Sequence, residues 1–289
     1  MKLRNALKLT CLGIAGGTVL RLVSMLFFFD DGIGFYKDGG LMASASLIFL
    51  LGICVVAVIF CFRDKAYFSG GDVLRRNLPG GAVSLLSAAA LTYGAGKEYM
   101  TRRELLAGLQ RTSSELLESH PQVSSIHLAL ILCSILLAVF QLGNALRLFS
   151  GRPLMEKAAI LQVIPIIWGI LYLIFVFLYY ARSPMNTENI YVVLGGVTLS
   201  FALLYRGKIL AGMDEAATVM RCFLSGIPAV LLGFSYCLSN LLLQFLGKGF
   251  SDLGEIPQSF QIAALFVVMD ILLFLFSYRG SGQKKQSAA

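Results

Sequence analysis

An all-α bundle of about eight membrane-spanning helices is predicted by three features of the sequence. Hydrophobic residues make up 57% and charged residues only 14% of the 289, the apolar runs are long and uninterrupted, and basic residues gather at alternate ends of those runs. A soluble domain carries about 25% charged residues. A span needs about 20 mostly apolar residues, because each helical residue rises about 1.5 Å through a hydrocarbon core of about 30 Å. The runs lack the two-residue alternation of lipid-facing strands, which excludes a barrel.

Eight stretches approach the required length: Leu9 to Phe29, Leu41 to Phe62, Gly81 to Ala95, Ile126 to Leu146, Ala158 to Tyr180, Ile190 to Tyr205, Cys222 to Leu246 and Phe260 to Tyr278. The third and sixth are short and are read as re-entrant or tilted. The apolar run behind Lys2, Arg4 and Lys8 resumes directly after Arg21, so it reads as an uncleaved first span rather than a signal peptide. The longest intervening piece, 96–125, is too short to build a core of its own, so residues 1–280 form one transmembrane domain. Within that piece, Leu105, Leu109 and Leu116 share one side of a segment from Glu98 to Glu118, the pattern of an amphipathic helix on the bilayer surface. Residues 281–289 read as a polar cytoplasmic tail.

Basic residues set the orientation, since short basic loops stay in the cytoplasm. With both termini inside, sixteen of the 24 Lys and Arg lie on the cytoplasmic side and seven outside, four of those seven being Lys97, Arg102, Arg103 and Arg111. The net charge of +8 is thus topology and contact with anionic headgroups. No basic stripe interleaved with aromatics occurs, which excludes nucleic acid as a partner. The bilayer is the partner that composition requires, and a small solute stays open.

The six cysteines have no metal-ligand or redox spacing and read as small packing residues. The two histidines, His120 and His127, do not make a metal site on their own. No phosphate loop, nucleophile elbow or zincin motif is present. No catalytic residue, metal or cofactor is therefore assigned, and an enzyme is the least favoured class.

Ionisable residues inside a span cost about 2.5–3.5 kcal/mol on the insertion scale and need a partner or a wet path. Arg21 lies about 13 Å below the outer end of the first span and Asp270 about 18 Å below the outer end of the last. Gly13, Gly17 and Arg21 share one helix face, as do Ala263, Asp270 and Ser277. An Arg21–Asp270 ion pair tying the first helix to the last is the expectation. Gly226, Gly233, Asn240 and Gln244 share a face of the seventh span, and Gln141, Asn144 and Gln162 form a second polar set.

A weak duplication sets Phe62, Arg63 and Lys65 beside Tyr205, Arg206 and Lys208, each followed by an acid, Asp72 and Glu215. Arg76 with Pro79, Gly80 and Gly81 then corresponds to Arg221 with Gly226 and Pro228, which suggests a four-plus-four repeat with matching helix breaks. Such breaks point to transporter sites where freed backbone groups line a cavity. Asn240, Gln244, Gly226, Pro228, Pro79, Gly80 and Gly81 are accordingly the cavity-lining candidates. Three classes remain: a transporter-like protein of small solutes, a structural or partner-binding protein with a dry and fully paired core, and an embedded enzyme.

Arg21 followed by Asp30, Asp31, Gly34, Phe35 and Tyr36, with Gly151, Arg152 and Pro153 ahead of the fifth span, resembles uncharacterised multi-pass proteins of Gram-positive anaerobic bacteria. That resemblance implies a bacterial cytoplasmic membrane and no particular chemistry.

Overall fold

A computed structural model describes residues 2–30, 35–63, 68, 72–73, 76–109, 121–151, 156–180, 187–213, 215–247 and 256–279. Eight helices long and apolar enough to cross a membrane dominate it. They are α1 (Lys2–Val23), α2 (Leu41–Arg63), α3 (Leu78–Leu109), α4 (Ser125–Ser150), α5 (Val163–Tyr179), α6 (Thr187–Leu210), α7 (Ala216–Phe245) and α8 (Gln258–Ser277). Two antiparallel ladders of two-residue strands tie loops together: β1 (Phe29–Asp30) with β2 (Phe35–Tyr36), and β3 (Asp72–Val73) with β4 (Tyr278–Arg279). The positions Asp31, Gly34, Arg152 and Pro153, His120, the distal part of the amphipathic segment and the 281–289 tail lie outside the described residues.

The helix ends follow local chemistry. Asp38 caps α2 by accepting from Gly40 N (3.0 Å) and Met42 N (2.9 Å), and Ser124 caps α4 by accepting from His127 N (3.2 Å). Gly151 ends α4 at φ 69°, a left-handed conformation that suits glycine, with its N–H on Arg147 O. Asn77 caps α3 by accepting from Gly80 N (3.2 Å). Pro79 then falls in the first helical turn, where no intrahelical N–H is required.

Packing closes six helices into a ring. α3 packs on α4, α4 on α5, α5 on α6, α6 on α7, α7 on α8, and α8 returns to α3. α1 and α2 lie outside this ring against α7, and α2 also touches α6. The molecule is apolar on both sides of its helices: Leu12, Ile48, Val139 and Phe245 face outward while Leu50, Leu130, Val230 and Val267 fill the interior. An outer surface of that kind needs lipid around it.

α3 and α6 exceed their predicted lengths the most. α3 is 32 residues long, about 48 Å by its rise, so the short third span and the first half of the surface helix are one continuous element. No proline interrupts it after Pro79, and Glu98, which the sequence places at the start of the surface helix, is buried on it. α6 runs 24 residues, because Arg206 and Lys208 continue the helix instead of ending it.

The four-plus-four correspondence is not carried into the packing. Arg63 is exposed at the end of α2 while Arg206 is buried, and α6 packs along α7 whereas α2 and α3 barely meet. The matching breaks have other uses. Gly80 and Gly81 lie against Leu148 and Phe149 of α4, and Gly226 lies against Leu275 and Ile271 of α8. Pro228 sits inside an unbroken α7.

Small residues set the closest contacts of α1. A Cβ on Gly17 would stand 2.5 Å from Leu50 Cδ2 and 2.8 Å from Ser235 Oγ, whereas one on Gly52 would meet nothing within 4 Å. Gly17→Leu is therefore expected to destabilise the bundle by about 1–3 kcal/mol through overpacking. Gly52→Leu should be close to neutral, and thermal unfolding of the two variants in one detergent checks the contrast.

Candidate functional site

The centre of the ring holds a charged network drawn from four helices. α6 delivers Arg206 and α8 delivers Asp270, with Arg206 Nη1 2.7 Å from Asp270 Oδ2 and both side chains nearly inaccessible. Ser84 of α3 donates to Asp270 Oδ1 (3.0 Å) and Gln141 of α4 donates to Oδ2 (3.0 Å). Asn144 Nδ2 donates to Ser84 Oγ (2.9 Å), and its Oδ1 accepts from Nε and Nη2 of Arg147 (3.2 and 3.0 Å). The Arg206 guanidinium also lies 5.3 Å from the Phe274 ring centre, a cation–π contact.

Asp270 is thus satisfied by one cation and two neutral donors. Arg206 is less complete: its Nε is buried with no hydrogen-bond partner, as are Gln141 Oε1 and Gln162 Nε2. Gln162 packs against Gly207, the residue next to Arg206. An unpaired buried polar group carries a desolvation cost of about 1–3 kcal/mol.

The Arg21–Asp270 pair expected from depth is not the one formed. Asp270 is engaged by Arg206, and Arg21 lies across α7. There its Nη1 donates to Tyr236 O (3.0 Å), and its guanidinium stands 4.7 Å from the Tyr236 ring centre and 5.6 Å from that of Tyr191. Tyr191 Oη in turn lies 2.8 Å from Ser46 Oγ. The physical reason is lateral position: α1 is outside the ring on α7 and α2, whereas Asp270 faces the ring interior. Among the cavity-lining candidates, Asn240 is buried and Gln244 half-buried, and Asn240 Oδ1 and Gln244 Oε1 have no partner. Gly226, Gly80 and Gly81 make the close helix contacts described above, Pro79 is exposed in the first turn of α3, and Pro228 is half-buried within α7.

A second polar cluster, which the sequence reading does not assemble, lies at the other end of the same three helices. Glu98 of α3 is buried against the first turns of α4 and α8. Its Oε2 lies 3.2 Å from His127 Nε2, and its Oε1 accepts a hydrogen bond from Ser259 Oγ. Tyr180 is within electrostatic reach of Glu98. The trio does not make a nucleophile: the carboxylate stands between hydroxyl and imidazole, so histidine is not placed to take the serine proton.

Seven-residue spacing was the signal available in the sequence. Ser84, Leu91 and Glu98 repeat along one face of α3, and His127, Ser134 and Gln141 along one face of α4. Each face carries polar groups at two levels fourteen residues apart, about 21 Å by rise. Between the levels the interior is mostly apolar: Leu91, Leu130, Leu137 and Val267 are buried, and the buried Ser134 accepts from Trp168 (2.9 Å), which stacks on Tyr172.

No family model, no curated protein and no solved structure matches this chain.

Removing the Asp270 charge leaves Arg206 buried without its counter-ion. Asp270→Asn is expected to cost about 3–5 kcal/mol, the range for breaking a buried pair on one side. The R206Q/D270N double variant should recover much of that loss, while R21Q/D270N should not. Melting temperatures in detergent read the cycle, and equal behaviour of the two double variants would reject the assigned pairing.

Proposed function

We propose that this is a multi-pass protein of a bacterial cytoplasmic membrane, with both termini on the cytoplasmic side, whose ring interior binds a small solute carrying a carboxylate or another oxyanion. One observation carries the reading: Arg206 uses Nη1 on Asp270 but keeps Nε buried and unpartnered. A buried guanidinium N–H without an acceptor suits an oxygen acceptor from outside the chain. Asp270 supports the guanidinium in place, and Ser84 and Gln141 hold the carboxylate in turn.

The cytoplasmic orientation rests on the basic residues of the sequence, and two of the sixteen inner ones, Arg147 and Arg206, are committed to the interior network. Arg102, counted on the outer side, donates to Gln122 O (2.9 Å) and Ser124 O (2.8 Å). A structural or partner-binding role is the second reading, favoured by the saturation of Asp270 with three donors.

Purified protein in detergent is to be melted with acetate, succinate, glutamate or phosphate added one at a time. At least one of these is expected to raise the melting temperature of the wild type, and that rise should vanish in Arg206→Gln. A ligand present at 100 times its Kd stabilises by about 2.7 kcal/mol, well within the reach of the measurement. Absence of any shift across the panel, or a shift that survives in R206Q, would favour the structural reading.

A further inference from the structure

We infer that the Arg206 site is loaded from one end of the ring, the end at which α4, α6 and α8 finish, and that a bar of aromatic side chains from α5 shuts it off from the other. The inference rests on the solute reading above. On the near side the distance is short and the lining polar. Arg206 lies four residues before the end of α6 at Leu210, about 6 Å by rise. A chain of hydrogen bonds runs inward from the last turn of α4. Arg147, at 9% exposure the most accessible of the set, donates to Asn144, Asn144 donates to Ser84, and Ser84 donates to Asp270 beside Arg206.

The far side differs in kind. α5 packs on its ring neighbours α4 and α6, and one stripe of it carries Trp168, Tyr172 and Phe175, all buried. Two of these side chains reach helices beyond those neighbours. The Phe175 ring centre lies 5.9 Å from that of Phe260 on α8, and Tyr172 is within electrostatic reach of Cys237 and Tyr236 on α7. Trp168, stacked on Tyr172, is fixed by its hydrogen bond to Ser134 of α4. The bar thus begins at the level of Ser134 and ends at that of His127, whose ring centre is 5.4 Å from that of Phe175. From Trp168 to Phe175 is about 10 Å of rise.

An anion that leaves water needs hydrogen-bond donors in exchange for its hydration. The near side supplies them in the Arg147 guanidinium and the Asn144 and Gln141 amides. The far side offers mostly aromatic and aliphatic surface, with Leu91, Leu130 and Leu137 completing the layer. A charge crossing that layer meets the penalty that keeps ions out of hydrocarbon. With the orientation proposed above, the near end faces the cytoplasm. Side chains that only filled space could be shortened without changing which face reaches Arg206. A bar could not.

Cys222 is a native reporter of the site, since it is buried in the second turn of α7 within electrostatic reach of Arg206. Membrane vesicles of both orientations containing the full chain are treated with sulfonatoethyl methanethiosulfonate, a small anionic thiol reagent that does not cross bilayers. Peptide mass spectrometry locates the modified cysteines. A Met213→Cys variant, exposed just past the end of α6, marks the near face. The expected result is modification of Cys222 only in vesicles that present the near face, and from both faces in W168A/Y172A. Modification of wild-type Cys222 from the far face, from both faces or from neither would overturn the inference, as would wild-type sidedness in W168A/Y172A. If that variant does not accumulate, Y172A alone serves with the same expected loss of sidedness. The labelling needs no bound solute, so an anion panel without melting shifts counts against the solute reading, whereas two-sided labelling counts against the route alone.

Discussion

A guanidinium and a carboxylate buried at the centre of a lipid-facing bundle constrain the rest of this structure. Neither Arg206 nor Asp270 can stand alone there, because an isolated ion in a low-dielectric interior carries a penalty that only pairing and hydrogen bonds offset. The pair joins α6 to α8 across the ring, and its remaining hydrogen-bonding capacity recruits Ser84 from α3 and Gln141 from α4. Four of the six ring helices are thereby held by one set of polar contacts. Apolar matching alone gives little preference between one helix arrangement and another in lipid, since hydrocarbon tails are as apolar as leucine. The network therefore specifies which helices meet, and packing of Leu130, Val230 and Ile271 follows from that choice.

The same logic explains why the polar groups lie at two levels instead of along one path. α3, α4 and α8 each carry a polar residue near one end of the ring and another near the other end, with a layer of Leu91, Leu137, Val267 and Trp168 between them. A continuous polar column would leave many hydrogen-bonding atoms to satisfy in hydrocarbon. Concentrating them in two clusters keeps most of them paired within the chain. It also separates two electrostatic environments: one built around an arginine whose carboxylate partner is saturated, the other around a carboxylate whose imidazole partner is not.

Much of this fold was readable from the sequence, because continuous apolar runs leave few alternatives to helices in lipid. The number of helices, their approximate limits and their all-α packing follow from run length, and the polar set of Gln141 and Asn144 is found facing inward as its spacing implies. The site was less readable, for a definite reason. A basic residue at the margin of an apolar run looks like the cytoplasmic end of a span, so Arg147 and Arg206 were read as loop charges. The structure continues both helices past them and turns them inward. Glu98 was hidden in the same way beside Lys97. Depth along each helix, which the sequence supplies, narrowed the partners of Asp270, but lateral position in the ring, which depends on contacts among all eight helices, decided for Arg206 over Arg21.

The two members of the central pair are not equally satisfied, and the difference bears on the choice between a site and a simple brace. A brace is best served when both ions are fully hydrogen-bonded, since each orphaned atom costs stability without adding specificity. Asp270 meets that standard with Arg206, Ser84 and Gln141 around it. Arg206 does not: Nε is buried and unpartnered, and Gln141 gives its Nε2 to Asp270 while its Oε1 stays unpaired. The carboxylate is thus the anchored member and the guanidinium the member with capacity to spare. A fixed anion that positions a partly unsatisfied cation leaves that cation with a buried N–H to offer a second oxygen acceptor.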